Sequence, residues 1–265
     1  MDTLLQTAAH FFLSKVVLVT LVLFGFRLVL LTALEKLYPA HFLRHKEVLP
    51  RDIFVAVTCG FVVVPAADFF DSWILSPPTL PQSVLAWPLT IRIVIYLVLA
   101  DFGAYWVHRL LHTRHMWRAH KWHHSPTYIY WLAGVRTSVV QMTLFNLPYI
   151  AAGALLVLSP RWIFWAILLK NTFTNDFMHL NVWWGNRWLD WVFVTPRYHH
   201  IHHSDNPEHY NSNLAVLFPI WDRLFGTYVD PEKVGRNLTF GIGETVHPVR
   251  LARVCPAGRR ETSGH

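Results

Sequence analysis

The sequence carries little charge for its length. Of its 265 residues, 15% are Asp, Glu, Lys or Arg and 53% are hydrophobic, whereas about a quarter of the residues in a soluble domain are charged. The Lys and Arg residues lie between long apolar stretches and not along one amphipathic face. This argues against a nucleic-acid partner and fits charges that face lipid headgroups. The composition therefore indicates a membrane protein.

Cysteine is also scarce. The chain has only Cys59 and Cys255, and no Cys-x-x-Cys pair, which excludes a disulfide framework and a cysteine-based zinc site. The His-Glu-x-x-His motif of zinc proteases is absent as well. Histidine, in contrast, is abundant: there are 17, and ten of them lie in the two windows 108–124 and 199–203.

The apolar stretches predict an all-α membrane bundle that forms a single domain over residues 1–265. Four stretches approach the ~20 residues that cross a bilayer; a fifth, shorter one either crosses it or forms a shallow hairpin with the fourth. Their bounds are about 11–34, 53–75, 84–107, 138–158 and 161–178. The first is too long for the apolar part of a signal peptide and is predicted to be a retained helix. Residues 109–137 and 179–265 are predicted to form a helical cap on this bundle.

The positions of Lys and Arg predict the orientation. The linker 35–52 and the segment 109–137 are rich in basic residues, whereas the linker 76–83 has no charge and three prolines. Because basic residues concentrate in cytoplasmic loops, the N-terminus is predicted outside and the C-terminus inside. Both histidine-rich windows then lie on the cytoplasmic side.

Three histidine boxes stand out. They are His108-Arg-Leu-Leu-His112, His120-Lys-Trp-His123-His124 and His199-His200-Ile-His202-His203. Residues three or four apart share a helix face, so each box is predicted to aim two or three imidazoles at one point. Without His200, which is not on the ligand face of its box, the boxes supply eight histidines. These exceed the four ligands of one tetrahedral zinc, and fit two ions of higher coordination that leave room for oxygen. Imidazole alone does not discriminate among iron, copper, nickel and zinc.

Four further residues are site candidates. His179 lies where the last apolar stretch returns to the cytoplasm and is predicted to be a ninth ligand, while His200 is either a ligand or a hydrogen-bond partner. Asp101 lies seven residues before His108, on the same helix face, and Asp176 lies three residues before His179. Carboxylates in apolar segments are usually functional, so both are predicted to orient ligand imidazoles, with an interhelical hydrogen bond as the alternative for Asp101.

At these residues the chain resembles the fatty acid hydroxylase superfamily, which includes sterol desaturase and alkylglycerol monooxygenase-like membrane di-iron proteins. The similarity extends over roughly residues 95–245. It is carried by Asp101-Phe-Gly-Ala-Tyr-Trp-Val-His108-Arg-Leu-Leu-His112, by His120-Lys-Trp-His123-His124-Ser125, by Phe177-Met-His179-Leu-Asn181, by Thr195-Pro-Arg-Tyr-His199-His-Ile-His202-His203-Ser204 and by Trp221-Asp-Arg-Leu-Phe-Gly226-Thr-Tyr. The resemblance implies nine metal ligands: His108, His112, His120, His123, His124, His179, His199, His202 and His203.

The resemblance further implies two iron ions, with another divalent metal such as zinc as a substitute in purified protein, and O2 as co-substrate. The expected reaction is hydroxylation or desaturation of a lipid taken from the bilayer: a sterol, a fatty acyl chain or an ether lipid. No reductase sequence or dinucleotide fingerprint is visible. Electrons are therefore expected from an external donor of the cytochrome b5, ferredoxin or reductase type.

Two other functions compete with this one. A haem electron-transfer protein would need axial histidines deep within facing helices, whereas these boxes lie at helix ends. A metal transporter would need a polar path across the membrane, and the charged residues of the apolar stretches form no obvious path. The candidates for such a path are Arg27, Asp68, Asp71, Arg92 and Asp101.

Overall fold

The computed structural model describes residues 15–67, 82–159, 162–163 and 174–243. Within these residues the regular structure is helical, and the one β-bridge joins Ser204 to Phe240. The longer helices are α1 (Lys15–Leu37), α2 (His45–Ala67), α3 (Leu89–Leu111) and α5 (Val139–Leu155). The shorter ones are α4 (Trp117–His120), α6 (Asp176–His179), α7 (Leu189–Val192), α8 (Pro196–His202), α9 (Ile220–Phe225) and α10 (Pro231–Val234).

Two of the described helices, α2 and α3, are long and apolar enough to cross a membrane, and α5 is a shorter apolar helix. The predicted stretch 161–178 lies largely outside the described residues, as do residues 11–14 and 68–75 of the first two stretches.

The start of α2 corrects the sequence prediction. The residues up to Asp52 were expected to be a polar linker, yet the helix begins at His45 and only the short segment 38–44 connects it to α1. The reason is that two charges of this region, Glu35 and Asp52, point inward and are fully buried. The other Lys, Arg and Glu side chains of 35–52 are exposed, so charge in the sequence did not distinguish a helix from a loop here.

Helices α3 and α5 pack closely along small residues. Ala100 and Ala104 of α3 are fully buried, and a Cβ added at Gly103 would lie only 2.6 Å from Cβ of Pro148 on α5. Such small residues allow two backbones to approach each other. This contact fixes α3 in depth and rotation, and thereby the position of His108 near its C-terminal end.

The predicted cap consists of short helices joined by turns, so it is less helical than expected. Its helices are four to seven residues long. The seven residues of α8 are all buried, and Tyr198 packs in one core cluster with Tyr96 of α3 and Tyr149 of α5. The third histidine box is thus buried, and its helix α8 packs against α3 and α5.

Candidate metal centre

The structure brings the nine predicted ligands together in two groups. In each group, the potential ligand atoms all lie within 4.8 Å of one another. Group one consists of His108, His112, His120, His124 and His202, and group two of His123, His179, His199 and His203. The groups are adjacent, because the rings of His124 and His203 stack with centroids 4.3 Å apart.

The partition refines the expectation that each box aims two or three imidazoles at one point. Each box sends two imidazoles to one group, and the second and third boxes send one more to the other group. Pairs four apart stay in one group, as His120 and His124 do, whereas the partner three residues away, His123, belongs to the other. The same holds in the third box, where His202 departs from the group of His199 and His203. In the third box, which lies on α8, positions i+3 and i+4 point about 100° apart at 3.6 residues per turn. The second box divides in the same way although residues 121–124 form turns after the end of α4. The second and third boxes therefore each serve both groups.

Backbone carbonyls set the orientation of four of these rings. In each, the Nδ1–H can donate to a carbonyl oxygen, which leaves the Nε2 lone pair directed inward. The pairs are His108 with Leu214 (2.7 Å), His123 with Arg136 (3.1 Å), His179 with Asn175 (2.6 Å) and His202 with Ser212 (2.9 Å). This tautomer is the one that presents Nε2 to a cation.

The distances between the inward nitrogens fit a metal ion. Nε2 of His179 lies 3.3 Å from Nε2 of His123 and 3.1 Å from that of His199. Two Nε2 atoms that both carry lone pairs repel each other at this distance unless a cation lies between them. Ligands bound at ~2.1 Å with angles of 90–109° lie about 3.0–3.4 Å apart. In addition, Nε2 of His112 and Nε2 of His202 are buried without a hydrogen-bond partner among the described residues.

Burial keeps these imidazoles neutral. Desolvation lowers the pKa of His123 to about 4 and that of His202 to about 3. For His124 and His203, desolvation and the neighbouring histidines together hold the pKa well below its ordinary value. Neutral imidazole is the form that binds metals, so this cluster is prepared for cations at neutral pH.

The structure leaves His200 outside both groups. Its Nε2 lies 2.9 Å from the carbonyl oxygen of Leu180, and its Nδ1 lies 3.2 Å from Nε2 of His41. Both ring nitrogens therefore have protein partners, and the second of the two roles that the sequence left open, hydrogen bonding, is the one seen.

The two carboxylates that were predicted to orient ligands have other direct partners. Asp101 accepts hydrogen bonds from the backbone N–H groups of Leu217 (2.9 Å) and Phe218 (3.0 Å) and from the indole of Trp221 (2.8 Å). It thereby anchors the segment in which Leu214 accepts from His108. Asp176 instead forms an ion pair with Arg27, at 2.6 Å.

Two buried acids of the N-terminal helices were missed by the sequence reasoning. Asp52 of α2 accepts from Arg136 (2.6 Å), Tyr128 (2.7 Å) and Tyr130 (2.9 Å), and the carbonyl of the same Arg136 orients His123. Acidic residues at the ends of apolar stretches were the available signal, because a carboxylate in that position needs a partner.

Glu35 of α1 is the second buried acid, and it also binds a segment close to a ligand. Its carboxylate accepts from the backbone N–H groups of Trp131 and Asn181, both at 2.8 Å. Asn181 follows His179 by two residues, so α1 also supports a segment that carries a ligand.

A cavity of about 280 Å³ adjoins the histidines. It is lined by residues of both groups, including His108 and His120 from group one and His123 and His179 from group two. The remaining wall is mainly apolar and comes from α1, α2, α5, α6, the segment before α5 and the segment between α8 and α9. Its apolar lining residues are Phe24, Ala56, Val64, Val135, Met142, Phe145, Met178, Ala215 and Val216. A mainly apolar cavity with a few polar groups is the usual form of a small-molecule site.

Comparison with known proteins agrees with this arrangement. The fatty acid hydroxylase family matches residues 93–227, about half of the chain, and this region contains all nine histidines. The chain belongs to the fatty acid hydroxylase family. Helices α1 and α2, which carry Glu35 and Asp52, precede the residues that match the family.

This member of the fatty acid hydroxylase family is similar to lipid-modifying enzymes of two kinds. It is 34% identical over 183 residues to the ornithine lipid hydroxylase OlsE of Rhizobium tropici, an alignment that covers 67% of this chain and 55% of the relative. It is 33% identical over 153 residues to the alkylglycerol monooxygenase of Xenopus tropicalis, with 57% and 33% covered. The chain thus spans between a third and about half of these relatives. No solved structure matches it.

Proposed function

We propose that this protein is an integral membrane oxygenase that hydroxylates or desaturates a lipid, using O2 and electrons from an external donor. The observation that carries the proposal is the convergence of nine histidines, eight of them buried, in two groups beside a mainly apolar cavity. Membership of the fatty acid hydroxylase family supports the same class of activity.

The nine histidines would hold two metal ions, with five ligands from group one and four from group two. Iron is the metal proposed, because imidazole suits it and the family similarity points to oxygenases. When bound, two iron ions would supply the activation of oxygen and the oxidation of an unactivated C–H bond. Zinc would fit the same nitrogen ligands without redox chemistry.

The overall reaction needs two electrons and two protons. In hydroxylation, one oxygen atom of O2 enters a C–H bond to give an alcohol, and the other leaves as water. In desaturation, two adjacent C–H bonds give a double bond, and both oxygen atoms leave as water. In either case the electrons come from a donor protein of the cytochrome b5, ferredoxin or reductase type.

The residues of this chain would contribute placement and exclusion of water. The carbonyls of Leu214, Arg136, Asn175 and Ser212 hold four ligand rings in one tautomer, and outer partners of this kind typically tune metal affinity 10–100-fold. The apolar cavity wall would align the chain of the lipid and keep solvent from the oxidised carbon.

We also propose the membrane arrangement. Four or five segments would cross or enter the bilayer, with 109–137 and 179–265 as a cap on the cytoplasmic side and the N-terminus outside. Support comes from the apolar helices α2 and α3 and from the basic residues of 35–52 and 109–137. The substrate would enter from the bilayer, with its oxidised carbon near the cytoplasmic headgroup level.

Metal content and lipid products test the proposal together. The full chain, purified from membranes, should contain about two metal ions. His123→Ala should lower this ratio and abolish the lipid product, whereas His115→Ala, at an exposed histidine outside both groups, should leave both unchanged. Mass spectrometry of lipids from cells with and without the gene should show a gain of one oxygen atom or a loss of two hydrogen atoms. A folded protein with almost no metal would refute the proposed function.

A further inference from the structure

One ion pair interrupts the apolar wall of the cavity beside the histidines. A terminal nitrogen of Arg27 on α1 lies 2.6 Å from Oδ2 of Asp176 on α6, and the side chains are 22% and 3% exposed. Both residues line the cavity together with His123 and His179. A buried ion pair gains little stability over apolar residues of similar size, so stability alone does not account for it.

The ion pair has unused hydrogen-bonding capacity. Within the described residues, Nε of Arg27 and Oδ1 of Asp176 are buried and make no hydrogen bond. Buried polar atoms are satisfied in the great majority of cases. A donor and an acceptor that remain unsatisfied beside a cavity are therefore suited to a ligand that supplies both partners.

The location of the pair relates it to the histidine centre. Asp176 lies three residues before His179 on α6, and the neighbouring Asn175 accepts from Nδ1 of His179 at 2.6 Å. One helical turn rises about 5.4 Å. A ligand group bound at the ion pair would therefore lie within a few carbon atoms of any carbon held at the histidines.

We propose that the Arg27–Asp176 pair binds the polar group of the lipid substrate and so places the carbon to be oxidised next to that group. The group accepts a hydrogen bond from Arg27 and donates one to Asp176, as a hydroxyl or an amide does. A phosphate or carboxylate fits less well, since the carboxylate of Asp176 would repel it. The inference rests on the proposed function and narrows its substrate class to lipids oxidised close to a hydroxyl or an amide.

Binding of two matched probes tests the pair without requiring turnover. The full chain, loaded with metal in detergent, is titrated with radiolabelled 1-hexadecanol and with hexadecane. Two hydrogen bonds predict at least a tenfold preference for the alcohol. Arg27→Met should remove this preference. Arg27→Lys, which keeps the positive charge but lacks the Nε–H donor, should reduce it while metal content stays normal. Arg44→Met, at the exposed Arg44–Glu47 ion pair, should change nothing.

Equal binding of both probes by the unaltered chain would overturn the inference, as would an unchanged preference in both Arg27 variants. In membranes supplied with 18O2 and reductant, the label of a hydroxylated product, or the double bond of a desaturated one, should appear within a few carbon atoms of the polar group. A label or double bond at mid-chain or at the chain end would also overturn it. These outcomes are distinct from failure of the proposed function, which would appear as absence of metal from folded protein.

Discussion

Replacing Asp52 with alanine should weaken both the fold and the metal centre. Asp52 is fully buried and accepts from the guanidinium of Arg136 and from two tyrosine hydroxyls. Its removal leaves the Arg136 cation, 8% exposed, without its carboxylate, and breaking a buried pair in this way costs about 3–5 kcal/mol. For a protein of this size the cost corresponds to a fall in Tm of roughly 10 °C. The carbonyl that orients His123 belongs to the same Arg136, so metal content should also fall.

Thermal unfolding in detergent and metal analysis of the same samples would measure both effects. Arg51→Ala is the matched control, because this side chain is 58% exposed and lies 3.6 Å from Asp52; surface pairs contribute about 0–1 kcal/mol. Adding Arg136→Met to Asp52→Ala should recover part of the lost stability, since the unpaired cation is then removed. The reasoning is refuted if Asp52→Ala and Arg51→Ala unfold at the same temperature with the same metal content.

Three further outcomes are expected. The Tm of metal-free protein should fall as the pH falls from about 6.5 towards 4. Burial lowers the pKa of His123 to about 4 and that of His202 to about 3, so in this range the unfolded chain binds protons that the folded chain does not. A Tm that does not change with pH would contradict this. His200→Ala should leave the metal-to-protein ratio unchanged, since both ring nitrogens have protein partners; loss of one metal would make it a ligand. Asp222→Ala should destabilise the protein by about 3 kcal/mol in the same unfolding assay, since this buried carboxylate accepts from the Tyr198 hydroxyl and two backbone N–H groups; an unchanged Tm would show those bonds to be dispensable.

The sequence was sufficient to predict which histidines converge. Their spacing is a local property, and the C-terminal end of α3 fixes the first box, so His108 and His112 could be assigned to one place before any fold was known. His179 followed from the need for a ligand on the returning segment. The division into two groups was not predicted, because residues 121–124 form turns after α4, so the fold sets the directions of His123 and His124.

The contributions of α1 and α2 were beyond the reach of the sequence. Glu35 and Asp52 reach partners about 80 to 150 residues away in the chain, such as Asn181 and Tyr130, and no local pattern reports a contact of that range. The same is true of Arg27, which appeared only as an isolated charge in an apolar stretch. Asp176 was recognised as unusual, but its ion pair became evident only from the packing of α6 against α1.

The interleaving of the second and third boxes has a consequence for how the centre is assembled. Since His123 and His124 are adjacent in the chain yet belong to different groups, binding at one group orders the backbone that presents ligands to the other. Such coupling makes filling of the two groups cooperative. A titration of metal-free protein should therefore be sigmoidal and pass through few singly loaded molecules.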